Sequence, residues 1–143
     1  MRSARRARKS SPVILVDSSF WIRVEHGTAM LDDYIPLDED VAACPIIMLE
    51  VLRGTRDQAR YFAARELLLD AEMLDSPTPL ARFEEAARIY LRCRDAGVTP
   101  SPGDCLIAAS AINHGMPLLH FDADFDLIAR VIPALKIFTR SSS

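Results

Sequence analysis

The run Val13-Ile14-Leu15-Val16, broken at once by Asp17-Ser18-Ser19, constrains the fold more than any other stretch of this chain. Four consecutive aliphatic residues without polar alternation describe a strand covered on both faces, the environment of a parallel sheet between helices. The side chains of Asp17, Ser18 and Ser19 can cap a following helix, predicted over Phe20–Glu25. A short helix near Met30–Ile35 and a strand near Val41–Ala43 come next. Pro45 suits the first turn of a helix that runs to about Arg53 and closes at Gly54. A helix over Arg56–Leu69, a brief strand near Glu72–Leu74 and a turn at Asp75–Pro79 follow. The next helix gathers Leu80, Phe83, Ala87, Tyr90 and Leu91 on one apolar face and ends before Gly97. Val98–Gly103 reads as a Pro-rich loop, and Asp104–His114 as an apolar helix stopped by Gly115. A strand at Leu118–His120, a helix at Asp124–Val131 and a last strand at Leu135–Phe138 complete the pattern. Strands alternating with helices predict a three-layer α/β/α domain around a parallel sheet of about five short strands. Sites in such sheets form beyond the carboxyl ends of strands, where the strand order reverses.

The chain has 143 residues, half of them apolar. That suffices for one domain with a core that needs neither disulfides nor a structural metal. The domain is expected over residues 12–140, between a basic tail at 1–11 and a short tail at 141–143, both without regular structure. The longest apolar runs fall far short of the roughly 20 residues that span a bilayer. The basic start leads into Ser10-Ser11-Pro12 rather than an apolar leader segment, so a cytoplasmic protein is expected. The cysteines, Cys44, Cys93 and Cys105, are odd in number and lack metal-type spacing; Cys44 and Cys105 have the apolar neighbours of buried thiols.

Charge is placed unevenly. Arg2, Arg5, Arg6, Arg8 and Lys9 are 5 of the 17 basic residues, which leaves 12 basic against 20 acidic residues, a formal −8, for residues 10–143. The basic tail could serve as an electrostatic arm, but a body this acidic repels nucleic acid unless cations or local basic patches intervene.

The acids fall at telling places. Asp17 ends the first strand. Glu50 lies within the apolar run Pro45–Leu52, with Ile46 and Ile47 one turn before it and Arg53 one turn after; it is either a solvated partner of Arg53 or part of a site. Asp104 can be a plain helix cap. Asp122 and Asp124 can be turn and cap residues, with Asp126 in the first helical turn. Singly, each has a local explanation. Together, four elements could deliver carboxylates to one edge of the sheet. Two carboxylates ~5 Å apart at an effective dielectric of ~20 repel by about 3 kcal/mol, so a converged set calls for protonation or a cation. All-oxygen donors suit Mg²⁺ or Mn²⁺ rather than zinc.

Four stretches carry a family resemblance. They are Val13-Ile-Leu-Val-Asp17-Ser-Ser-Phe-Trp-Ile22, Pro45-Ile-Ile-Met-Leu-Glu50-Val-Leu-Arg-Gly54, Gly103-Asp104-Cys-Leu-Ile-Ala-Ala109 with Asn113-His-Gly115, and Leu118-Leu-His-Phe-Asp122-Ala-Asp124-Phe125 with Ile128-Ala129. In this order they resemble the PIN-domain family and, within it, the VapC-type toxins of bacterial toxin–antitoxin pairs. The resemblance implies a divalent-metal endoribonuclease acting on RNA, inhibition by a VapB-type antitoxin, and a homodimer. It implies catalytic roles for Asp17, Glu50, Asp104 and Asp122, and metal ligation by Asp17, Asp104, Asp122 and Asp124. Ser18 and Arg53 are implied as supporting residues, Ser18 orienting Asp17 or a water and Arg53 pairing with an acid. Trp21, Phe62, Phe83 and Tyr90 read as core or dimer contacts rather than RNA-stacking groups. His114 reads as a helix-end residue, and His120 lies nearer the acids.

Two rival readings keep the fold and change the function. A receiver-like phosphoryl-transfer domain also has acids at strand ends, but the sequence lacks an adjacent acidic pair after the first strand, and Lys136 falls within the last strand pattern. A PIN-like binding module without catalysis is the other.

Overall fold

A computed structural model of the chain describes residues 13–35 and 40–139; the expected tails lie outside the described residues. Among these, four strands form one parallel sheet in the order β3-β2-β1-β4, with six α-helices between and after them. The strands are β1 (Val13–Val16), β2 (Asp40–Ala43), β3 (Glu72–Met73) and β4 (Leu118–Leu119). The helices are α1 (Ser18–Glu25), α2 (Pro45–Leu52), α3 (Gln58–Leu69), α4 (Leu80–Asp95), α5 (Pro102–Asn113) and α6 (Ala123–Val131). This is the expected α/β/α arrangement.

β1 is paired on both sides, Ile14 opposite Val41 in β2 and Val16 opposite Leu119 in β4. Ile14, Leu15 and Val16 are fully buried, which is why the strand reads as an unbroken aliphatic run. The chain steps outward from β1 through β2 to β3 and then returns to the opposite side of β1 as β4. The strand order therefore reverses at the β1–β4 junction, and Asp17 and Asp122 follow those two strands.

Several boundaries differ from the expectation. The fifth strand is reduced to a single bridge between Ile137 and Leu118, because β4 offers only two residues to pair with. The helix expected near Met30–Ile35 is a 3₁₀ turn over Leu31–Asp33. α3 starts at Gln58, where the Asp57 side chain accepts from the Arg60 amide. α5 starts at Pro102, two residues earlier than expected, because Ser101 caps it and Pro102 and Gly103 fill its first two positions.

The apolar face predicted for α4 is not its core face. The helix buries Arg82, Ala86, Ile89 and Cys93, while Leu80, Phe83 and Leu91 are exposed. α4 packs against α5, whose central Ala108, Ala109, Ser110 and Ala111 permit close approach. An arginine in the buried stripe hid it from a reading by hydropathy. Trp21 is fully buried as expected, whereas Phe62 and Phe83 are each about half exposed, at 52% and 51%. All three cysteines are buried, and burial pushes the Cys44 thiol up to about 12. No described helix is long and apolar enough to cross a membrane.

Candidate active site

Four elements bring five carboxylates to the β1–β4 junction. Asp17 is held first by backbone, its amide donating to the Leu119 carbonyl of β4 at 2.9 Å. Its side chain caps α1: the Ser19 amide donates to Oδ2 at 3.0 Å and the Ser19 hydroxyl at 2.5 Å. That hydroxyl also accepts from the Phe121 amide at 3.0 Å, so Ser19 ties the loop after β4 to Asp17. Burial raises the pKa of Asp17 against the lowering effect of the Ser19 bonds, and Asp122 raises it further.

Glu50 arrives from the last turn of α2. Its Oε1 accepts from the Ser18 hydroxyl at 2.7 Å, and Ser18 also lies 3.4 Å from Asp17 Oδ1. Its other oxygen rests against α5, where a Cβ on Gly103 would stand 2.7 Å from Oε2. Glycine is required here for close approach, not for an unusual backbone angle. Burial raises the pKa of Glu50, with Asp17 and Asp122 adding to the rise. Arg53 is exposed and makes no ion pair among the described residues; its charge only offsets part of that rise. The expected direct pairing of Arg53 with an acid is therefore not seen.

Asp104 sits at the third position of α5. Since Ser101 caps the helix by accepting from the Asp104 amide at 3.1 Å, the Asp104 carboxylate is not spent on capping. Asp122 is the cap of α6, accepting from the Asp124 amide at 2.9 Å, and its own amide donates to His120 Nδ1 at 3.0 Å. His120 thus braces the loop instead of pointing into the cluster. One carboxylate oxygen each from Asp104, Asp122 and Asp124 lie within 4.8 Å of one another. Asp17 and Glu50 stand outside this trio but close enough to act on it. Burial first, then Asp122, Asp17, Glu50 and Asp124, push the Asp104 pKa up to about 7.

Among the described residues no arginine or lysine forms an ion pair with any of the five acids. The cluster is an uncompensated concentration of negative charge with hard oxygen donors. Its donor set fits a divalent cation such as Mg²⁺ or Mn²⁺ and lacks the nitrogen or sulfur ligands of a typical zinc site. All five acids singled out from the sequence belong to it, as does Ser18. Ser19 and Gly103 were not singled out. The pair Asp-Ser-Ser before a helix signals a cap, but nothing in it says that the second hydroxyl also holds a distant loop. Nor does Gly103 reveal its contact with Glu50, because that contact joins positions 53 residues apart.

Known proteins resemble this chain in sequence and fold. A family model described as the PIN domain matches residues 14–131. Ribonuclease VapC11 of Mycobacterium tuberculosis is 37% identical over 126 residues, covering 83% of this chain and 93% of its own. VapC ribonuclease Mb1587 of Mycobacterium bovis matches equally. Among solved structures, VapBC-5 of Mycobacterium tuberculosis, from a toxin–antitoxin system, has a TM-score of 0.68 at 21% identity, covering 89% of this chain and 98% of that one. VapBC2 of Rickettsia felis, bound to a promoter DNA fragment, has a TM-score of 0.71 at 14% identity, covering 90% and 99%. These structures share the fold, and the family match over most of the sequence establishes the rest: the chain belongs to the PIN-domain family.

Proposed function

We propose that this protein is a divalent-metal-dependent endoribonuclease and the toxin of a VapBC-type pair, restrained by a VapB-type antitoxin. The observation that carries the chemistry is the convergence of Asp104, Asp122 and Asp124 without a cationic side chain to balance them. The ribonuclease names of the relatives supply RNA as the substrate class, and the paired systems among the structural neighbours supply the antitoxin. As the toxin of such a pair it would act on RNA in the cytoplasm.

Asp104, Asp122 and Asp124 would hold Mg²⁺ or Mn²⁺, with Asp17 beside them. A bound ion of this kind neutralises the acids, draws in a phosphate oxygen and lowers the pKa of a water. Glu50 stands apart from the trio, and the Ser18 hydroxyl fixes its orientation. We assign to Glu50 the attacking water: it orients the water and takes a proton as the new phosphorus–oxygen bond forms and the bond to the leaving ribose oxygen breaks. Ser18 and Ser19 keep Glu50 and Asp17 in place, so neither acid has to reorganise during the reaction.

The test is the Asp104→Asn variant, which keeps shape and removes charge. It should weaken Mn²⁺ binding in a calorimetric titration and lower RNA cleavage about a thousandfold, the scale of several kcal/mol of lost metal stabilisation. EDTA should stop the wild type. Undiminished cleavage by this variant would overturn the assignment.

A further inference from the structure

The acid cluster leaves open what holds a polyanionic substrate against a body of net negative charge. Beside the cluster, α1 and the loop after β4 build an aromatic ledge with a cation on it. Ser19 and Arg23 lie four residues apart on one face of α1, and both meet Phe121. The Ser19 hydroxyl accepts from the Phe121 amide, and the Arg23 guanidinium carbon stands over the Phe121 ring, 4.3 Å from its centroid. The ring stacks parallel to the fully buried Phe20, with centroids 5.1 Å apart, and meets Tyr34 edge-on at 5.5 Å. Phe121 is nonetheless 37% exposed, and Arg23 is exposed. Among the described residues, no carboxylate lies within ion-pair distance of Arg23. Phe121 is covalently next to Asp122 of the acid trio.

Exposure by itself does not mark Phe121, since Phe62 and Phe83 are more exposed; what sets it apart is its support and the cation over it. Here it is braced from below and edge-on, so its exposure is fixed rather than incidental. An aromatic face topped by a planar guanidinium suits single-stranded RNA, whose unstacked bases lie on aromatic rings and arginine planes while the cation meets phosphate. A basic peptide segment would be drawn to the acids but repelled by Arg23, so the charge on the ledge favours the nucleic acid.

We propose that Arg23 and Phe121 form a substrate subsite, in which a nucleobase flanking the scissile phosphate stacks on the outer face of the Arg23 guanidinium, which Phe121 supports from below, while the N–H groups of Arg23 hold an adjacent phosphate. The proposal rests on the ribonuclease reading. It adds what that reading lacks, a sequence-tolerant grip that sets the register of the strand over the acids.

The experiment measures binding of a fluorescein-labelled single-stranded RNA of mixed sequence by anisotropy, in the Asp104→Asn background so that cleavage does not intervene. Adding Phe121→Ala or Arg23→Ala should weaken binding about tenfold, the scale of one lost base stack. Phe121→Tyr should keep wild-type binding, and Arg23→Lys should fall between. In the otherwise wild-type chain, Phe121→Ala and Arg23→Ala should raise KM more than they lower kcat, leave Mn²⁺ affinity unchanged and shift the cleavage sites mapped on total RNA. Wild-type KM and binding in both alanine variants would overturn the subsite while the ribonuclease reading stands. Intact RNA binding together with lost antitoxin binding would also overturn it, and mark the ledge as a protein contact. A wild type that neither binds nor cleaves RNA with Mg²⁺ or Mn²⁺ would overturn both readings together.

Discussion

Asp75, a half-buried residue with only 5% of its side chain exposed, and Asp104, a buried one, are the same residue type in opposite surroundings. Asp75 follows β3 in a left-handed conformation, φ +53°, which aspartate tolerates better than most residues. Its Oδ2 accepts from Arg82 Nε at 3.0 Å and from the Ser110 hydroxyl at 2.6 Å, and its Oδ1 lies 3.0 Å from His114 Nε2. Burial raises its pKa, but these bonds from Ser110, His114 and Arg82 outweigh burial and hold it below the usual range. Arg82 in turn bonds Glu85 at 2.6 Å. Asp104 has burial and four neighbouring carboxylates, and nothing positive to answer them. The first carboxylate is completed by its own chain and fastens α4 and α5 to the end of β3. The second is completed only by something the chain does not carry. Burial alone does not mark a functional acid; the sign of its neighbours does.

The contrast breaks most visibly by removing the satisfied acid. Asp75→Ala strands Arg82 without its buried partner and should cost about 3 kcal/mol in denaturant unfolding, while the Mn²⁺ affinity of the folded protein stays unchanged. A loss of metal affinity comparable to that of Asp104→Asn would show that the two regions are not separate.

A smaller effect should come from Gly103→Ala. The added methyl meets Glu50 Oε2 at 2.7 Å, and because Glu50 is the end of a flexible side chain it will yield, leaving stability nearly unchanged. Cleavage should fall about tenfold, as expected when a reacting group is moved from its place. Unaltered kcat would remove Glu50 from the reaction.

The smallest effect is a slope. The folded pKa of Asp104, about 7, is raised above its ordinary value of 3.8, so in this range the folded state holds more protons than the unfolded one. Metal-free protein should therefore lose stability as pH rises from 4 through 7, with Asp17 and Glu50 acting in the same direction. Asp75 acts oppositely, its contribution being lost only as pH falls below the usual carboxylate range. Melting temperatures across this window and continued below pH 4, with and without Mn²⁺, check both signs; the metal should flatten the slope above pH 4, and Asp104→Asn should reduce it.

The acids of the candidate site were proposed from the sequence by their placement at strand ends together with the family resemblance, since each taken singly has a local use as a cap, turn or ion-pair residue. Asp17 ends a run that only a central parallel strand explains, and Asp122 follows the strand that pairs with it. The faces of α4 were not legible. Leu80, Phe83 and Leu91 are bulkier than Ala86 and Cys93 and drew the reading to their face, but the smaller stripe, with Ile89, fits against the alanines of α5, and Arg82 enters it because Asp75 receives its charge. The cap of α5 was misplaced for a similar reason: Ser101 and Asp104 are both competent caps, and the choice of Ser101 is what leaves Asp104 free.

By itself the sequence determined the alternation of strands and helices and the parallel sheet, since periodicity is a local property of the chain; it pointed to the acids through strand-end placement and, more strongly, through the family resemblance. The tertiary structure alone decided which acids share a cation-sized space, which carboxylate is satisfied from within, and that Ser19, Gly103, Arg23 and Phe121 belong beside the cluster. Those facts depend on distances between residues far apart in sequence, and hydrophobic patterning carries no record of them.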